Sequence, residues 1–160
     1  MPIVTTIEGR IAQVAIDRPE KRNTLSSELC KDLAREFLEL NDDTRVRSIV
    51  LCGHNNVFCA GLDIEEQLAE NTPIFNEFQK VIDALDALSK PVVAAVSGPA
   101  VSQGAAMLYH CDLVFAGEHA LFSMPGLALG QTPRYGVSLL AVKSGGYKLA
   151  AQKLLLSEPI

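Results

Sequence analysis

Apolar positions along this chain change their period several times, and each change marks an element. Residues Ile3 to Ile7 and Ile11 to Asp17 form two strand-length apolar runs separated by Glu8-Gly9. Gly9 carries no Cβ and tolerates φ > 0, so the runs read as an opening hairpin. Arg18-Pro19 ends the second run, because proline offers no N–H to a ladder and restricts the residue before it. From Ser26 or Ser27 the period lengthens. Leu29, Leu33, Phe37 and Leu40 recur at helical spacing between charged residues, behind a serine cap. Val46 to Cys52 is a short apolar strand, closed by the turn cluster Gly53-His54-Asn55-Asn56.

Phe58 to Ile64 reads as an apolar loop leading into a short helix, and Phe75, Phe78, Ile82, Leu85 and Leu88 mark a longer one before Pro91. The unbroken run Val92 to Val96 predicts a strand buried on both faces. Gly98-Pro99 turns the chain into a small-residue helix over 104–109. Leu113 to Ala116 is a further strand, ended at Gly117-Glu118, and helical stretches over 137–142 and 147–156 follow. Strands alternating with helices predict an α/β fold around a largely parallel sheet, in one domain spanning residues 1–160.

Composition narrows the function. The 160 residues are 48% apolar and 21% charged, enough to build a core and to exclude a disordered chain. A net charge of −5 gives no electrostatic reason for a nucleic-acid partner. No apolar run reaches membrane-spanning length, and the N-terminus lacks a basic segment followed by an apolar one. The expectation is a soluble cytoplasmic chain with no membrane partner. Cys30, Cys52, Cys59 and Cys111 sit in or beside apolar segments, which predicts reduced thiols rather than a disulfide framework. Cys52-x-His54-x4-Cys59 has no fourth ligand at zinc spacing, so no metal is expected.

Two segments share one physical signature. Phe58-Cys59-Ala60-Gly61-Leu62-Asp63-Ile64 and Val96-Ser97-Gly98-Pro99-Ala100-Val101-Ser102-Gln103-Gly104 each run from a strand end through small residues into a helix start. The first N–H groups of a helix lack partners within it. Two such starts facing one another would aim two donors at a single oxygen, as an oxyanion hole does. Small residues are also ordinary at βα turns, so spacing alone leaves both readings open.

The residue identities say more. Ile16-Asp17-Arg18-Pro19 with Asn23-x-Leu25, then F-x-A-G-x-D-[IL] at 58–64, then the block from Lys90 through GPAVSQG, HCDLV and GQTP, resemble the crotonase or enoyl-CoA hydratase/isomerase superfamily along essentially the whole chain. GPAV, HCDLV and the closing LLLSEP are most similar to the delta-3,delta-2-enoyl-CoA isomerase-like branch. The resemblance implies a crotonase-like spiral of β-β-α units holding an acyl-CoA thioester, a role in fatty acid metabolism, and a homotrimer or dimer of trimers. It implies no cofactor beyond the coenzyme A of the substrate. Family members usually add a C-terminal helical region; the resemblance stops short of it, so either the chain is a fragment or partner chains are expected to cover what that region would have covered.

Carried over position by position, the resemblance makes the N–H groups of Leu62 and Gln103 the oxyanion donors. Gln103 falls on the middle residue of a usual triple glycine, and its donor survives if its φ is negative. Ala60, Asp63, Ile64 and Glu65 match the segment lining coenzyme A; Asp63 alternatively caps the helix it opens. The two hydratase glutamates are replaced by Ala106 and Gly126, and the isomerase glutamate of a T-P-E pattern by Arg134. Ordinary hydration is not expected, since a proton carrier needs a pKa near the working pH and arginine stays protonated.

Three readings remain. One is isomerase-like chemistry through a thioester enolate with an unassigned proton carrier. The second is a non-catalytic acyl-CoA-binding module. The third is decarboxylation of a carboxy-acyl-CoA, with Arg134 gripping the carboxylate and Tyr135 beside it as a donor or weak acid. Arg134 and Tyr135 could equally be a surface cation and a packed core ring. Of the histidines, His110 is expected to be structural, while His54 and His119 are weak base candidates.

Overall fold

The computed structural model of the chain describes residues 2–159; Met1 and Ile160, the ends of the expected unit, lie outside them. Strands β1 (Ile3–Glu8) and β2 (Ile11–Ile16) form the opening antiparallel hairpin. Strands β3 (Ser48–Gly53), β4 (Val92–Val96) and β6 (Leu113–Ala116) then add in parallel, giving the sheet order β1-β2-β3-β4-β6. A second, smaller sheet pairs β5 (Pro99–Val101) with β7 (Leu121–Ser123), again in parallel. Isolated parallel bridges Leu25↔Leu62 and Cys59↔Ala100 carry that second layer back toward the start of the chain.

The architecture is therefore a spiral. Each circuit lays down one strand of the large sheet, a short extended segment of the small one, and then helix. Asn23 shows how the first circuit is fastened to the second. Its buried Oδ1 accepts from the Arg18 N–H at 2.8 Å, and its Nδ2 donates to the carbonyls of His54 (3.0 Å) and Val57 (2.7 Å). That is the physical content of the Asn23-x-Leu25 motif.

Helix α1 (Ser27–Asp42) starts at Ser26, whose hydroxyl accepts from the Leu29 N–H at 3.1 Å. Its stripe Leu29, Leu33, Phe37 and Leu40 is buried as the period predicts, and it packs on α3 (Ile74–Ala87). Between them lies the four-residue α2 (Ile64–Gln67), whose Glu66 Oε2 accepts from the Ser27 N–H and hydroxyl at the start of α1. Helix α4 (Gln103–Leu108) is buried along its whole length, and α5 (Val137–Gly145) and α6 (Tyr147–Leu156) pack together beyond it. No helix among the described residues is long and apolar enough to cross a membrane.

Three expectations need correction. The strand expected over 46–52 begins at Ser48, with Val46 buried in the preceding loop. The run Val92 to Val96 is not buried on both faces. Val92, Ala94 and Val96 point into the core, while Val93 and Ala95, on the outer face of the sheet, are half-exposed. Finally, β5 and β7 are strands where the sequence suggested only turns. Three residues are too few to show a period of two, and these strands exist because the spiral stacks them.

Candidate active site

The two small-residue turns come together. The Val101 N–H donates to the Cys59 carbonyl at 2.9 Å and the Cys59 N–H to the Pro99 carbonyl at 3.2 Å, so the segments run as neighbouring strands. Glycines let them approach this closely. A Cβ on Gly104 would stand 2.2 Å from the Cys59 carbonyl oxygen. One on Gly61, which sits at φ 98°, would lie 3.2 Å from both Ser102 Cβ and the Val101 oxygen. Only a residue without a side chain fits at either point.

The N–H groups of Leu62 and Gln103 emerge from this junction, and neither donates to any acceptor among the described residues. Leu62 is flanked by bonds on both sides. The Leu25 N–H donates to the Gly61 carbonyl, and the Asp63 N–H donates to the Leu25 carbonyl, each at 2.8 Å. Alternation in an extended segment then turns the Leu62 N–H to the side away from Leu25. Gln103 is the first residue of α4, where an N–H has no intrahelical acceptor.

The triple-glycine position that demands a positive φ is not Gln103. It is Ser102, held at φ 54° and ψ −117°, with its N–H tied to the Ser123 carbonyl at 2.8 Å. A non-glycine residue in such a region typically costs about 1–3 kcal/mol, and it persists only where its surroundings fix it. Gln103 itself is helical, so the condition set for its donor is met.

A cavity of about 40 Å³ opens beside the Gln103 end of α4, lined by Ser102, Gln103, Ala106, Gly126, Arg134 and Tyr135 among others. No Asp, Glu or His contributes to its lining. The Arg134 guanidinium carbon stands 4.8 Å from the centre of the Phe75 ring, a cation over an aromatic face. Tyr135 packs edge-on against Phe78 at 4.8 Å, and its hydroxyl donates to the Phe75 carbonyl at 3.3 Å. Burial pushes that phenol from 10.0 up to about 12, although the neighbouring Arg134 charge pulls the other way. It is therefore a poor proton donor near neutrality.

The other candidates are occupied. Asp63 is buried, pairs with Arg18 Nη1 at 3.0 Å, and accepts from the Glu65 N–H at 3.1 Å, so the capping alternative is the one its carboxylate adopts. Glu65 reaches Lys21 at 3.1 Å on the surface, Ile64 is exposed, and Ala60 is half-buried. His110 is a brace: Nδ1 meets Asp86 Oδ1 at 2.8 Å and Nε2 meets the Tyr135 carbonyl at 2.9 Å, which anchors the loop carrying Arg134. His54 lies 3.5 Å from Asp17, and His119 pairs with Glu118 on the surface. No His/Cys/Asp/Glu grouping suited to a metal occurs among the described residues.

Residues 6–160 match the family model for enoyl-CoA hydratase/isomerase. This chain belongs to the enoyl-CoA hydratase/isomerase family. It is 32% identical to the short-chain-enoyl-CoA hydratase of Clostridium acetobutylicum, over 99% of its own length and 62% of that relative. It is 31% identical to the 2,3-dehydroadipyl-CoA hydratase of Escherichia coli, over 99% and 63%. The chain thus spans less than two thirds of these relatives. The solved enoyl-CoA hydratase/isomerase from Pseudoalteromonas atlantica T6c superposes with a TM-score of 0.93 at 31% identity, over 100% of this chain and 64% of that one. An enoyl-CoA hydratase from Polaromonas sp. JS666 does so with a TM-score of 0.91 at 30% identity, over 99% and 64%. The spiral is the crotonase fold.

At the positions where the resemblance expected catalytic acids to be replaced, the cavity has no acid. Ala106 and Gly126 line the cavity without an ionisable group, and Arg134 brings a positive charge instead. Sequence reasoning missed the role of Ser102 as the residue in the strained conformation and the burial of the Gln103 side chain. A serine in a glycine position signals strain only once the backbone angle is known.

Proposed function

We propose that this chain binds an acyl-CoA thioester with the carbonyl oxygen between the Leu62 and Gln103 amides, and that it promotes isomerase-like chemistry through the thioester enolate. The observation that carries this reading is the pair of unengaged N–H groups at a glycine-forced junction. Preorganised donors of this kind stabilise the negative charge that develops on the oxygen, and loss of one typically raises the barrier by about 2.7–4 kcal/mol. Relatives named for enoyl-CoA hydration support the substrate class.

A second reading has its own support. The cavity beside the donors holds no carboxylate or imidazole, and its one phenol is a weak acid engaged elsewhere. A protein with the cradle and no proton carrier would be an acyl-CoA-binding module. Calorimetry with a 2-enoyl-CoA and a 3-enoyl-CoA, run alongside spectroscopic assay of double-bond migration and hydration, separates the two. Binding with isomerisation supports the enzyme. Binding without turnover identifies the module. Acyl-CoA binding no tighter than free coenzyme A overturns both.

A further inference from the structure

The cavity next to Gln103 has an unusual balance of polar groups: it offers donors and positive charge without an anion to use them. Arg134 pairs with no carboxylate among the described residues, although the chain carries 19 acidic residues. It is positioned nonetheless, with its guanidinium held over Phe75 and its backbone anchored through the Tyr135–His110–Asp86 chain of hydrogen bonds. Gln103 supplies the second observation. Its side chain is buried, with only 8% exposed, and its Oε1 accepts from the Ser102 hydroxyl at 2.7 Å. Its Nε2 donates to no acceptor among the described residues and stays open to solvent, on a residue that lines the cavity.

We propose that this cavity is a carboxylate subsite, in which the Arg134 guanidinium and the Gln103 carboxamide hold the terminal carboxylate of a short carboxy-acyl thioester. The proposal rests on the reading that the Leu62 and Gln103 amides hold the thioester carbonyl. The volume of about 40 Å³ sets the size of the group. It admits a group of a few heavy atoms, a carboxylate among them, and no long tail. Gln103 both lines the cavity and supplies a carbonyl donor, so a short acyl chain is the one to test. Guanidinium and carboxylate match in planar geometry, so the exposed Arg134 can grip a carboxylate through two parallel hydrogen bonds.

Two probes of nearly the same shape test this. Malonyl-CoA carries a carboxylate where isovaleryl-CoA carries two methyl groups, and both share the charges of coenzyme A. Calorimetric Kd values of the purified chain are measured for both and for free coenzyme A. The expected result is malonyl-CoA binding about 10- to 100-fold tighter than isovaleryl-CoA, the range set by a charge-assisted hydrogen bond. That ratio is expected to fall toward one in Arg134→Met and to invert in Gln103→Glu, which places a like charge in the subsite.

Thermal melting checks that each variant is folded, and Arg134→Lys, which keeps charge without the planar fork, supplies an intermediate ratio if either truncation fails to fold. Equal affinity for the two thioesters, both tighter than coenzyme A, overturns the carboxylate subsite and leaves the thioester cradle standing. A ratio unchanged in the variants also overturns it, by locating the carboxylate elsewhere. Neither thioester exceeding coenzyme A overturns the underlying reading instead.

Discussion

Substituting Gly104 by alanine attacks the junction at its tightest point. The added Cβ would stand 2.2 Å from the Cys59 carbonyl oxygen and 2.9 Å from Cys59 Cβ. Both neighbours belong to fixed elements, so the first turn of α4 and the strand at Cys59 must part by about 1 Å to reach ordinary contact. Overpacking of this kind typically costs about 1–3 kcal/mol, against which alanine recovers about 1 kcal/mol of helix propensity. The expected net loss is about 0–2 kcal/mol in urea unfolding, with an unchanged m-value. The effect on the site is larger than the effect on stability. A donor moved by about 1 Å loses most of its hold on the carbonyl, worth about 2.7–4 kcal/mol or ~100-fold or more in any turnover.

Difference infrared spectroscopy of a ¹³C-labelled thioester reads that hold directly, because each donor lowers the carbonyl stretching frequency. The wild-type chain should shift the band down on binding, and Gly104→Ala should return most of the shift. Gly9→Ala is the control. Gly9 sits at φ 59° with nothing within 4 Å of the added Cβ, so it carries backbone strain far from the junction. A Gly104→Ala protein that is destabilised yet keeps the full carbonyl shift would refute the link between the glycine contact and donor placement.

Two further outcomes follow from the buried polar groups. Asn23→Ala leaves the Arg18 N–H and the Val57 carbonyl without that partner, at about 1–3 kcal/mol each when buried, while the His54 carbonyl keeps the Val57 N–H at 3.5 Å. The expected loss in urea unfolding is about 2 kcal/mol or more, and a loss below about 1 kcal/mol would mean that those groups rebond elsewhere. The thiols make stability fall in alkali. Burial pushes Cys59 and Cys111 from 9.0 up to about 12, so the folded chain keeps protons that the unfolded chain releases between those values. Their contribution is complete below pH 9 and is lost as pH rises toward 12. Each thiol adds about 1.4 kcal/mol per pH unit to that slope. Cys59→Ala should flatten the slope by about that much between pH 9.5 and 11, and an unchanged slope would contradict the burial argument.

Much of the spiral was legible in side-chain order. The α1 stripe from Leu29 to Leu40 and the α3 stripe from Phe78 to Leu85 each bury an amphipathic face, which is a strong periodic signal. The second sheet was not legible, since Pro99–Val101 and Leu121–Ser123 are too short to carry a period and depend on stacking between distant circuits. Val93 and Ala95 misled because an apolar residue at a half-exposed position looks the same as a core residue in a string of letters. At the site, the two small-residue turns identified where main chain could approach a ligand. The partners of Tyr135, Asp63 and His110 lie far away in sequence, at Phe75, Arg18 and Asp86, and no local pattern announces them.

The junction at Gly61 and Gly104 has a consequence for redesign. A grip made of main-chain amides is insensitive to which side chains surround it, provided the two glycines stay. On the proposed reading, reactivity is decided separately at positions 106, 126 and 134, whose residues line the same small chamber. An engineer could therefore exchange the reagents at those three points, installing an acid at one or a neutral group at another, while the clasp on the acyl carbonyl is carried over unmodified.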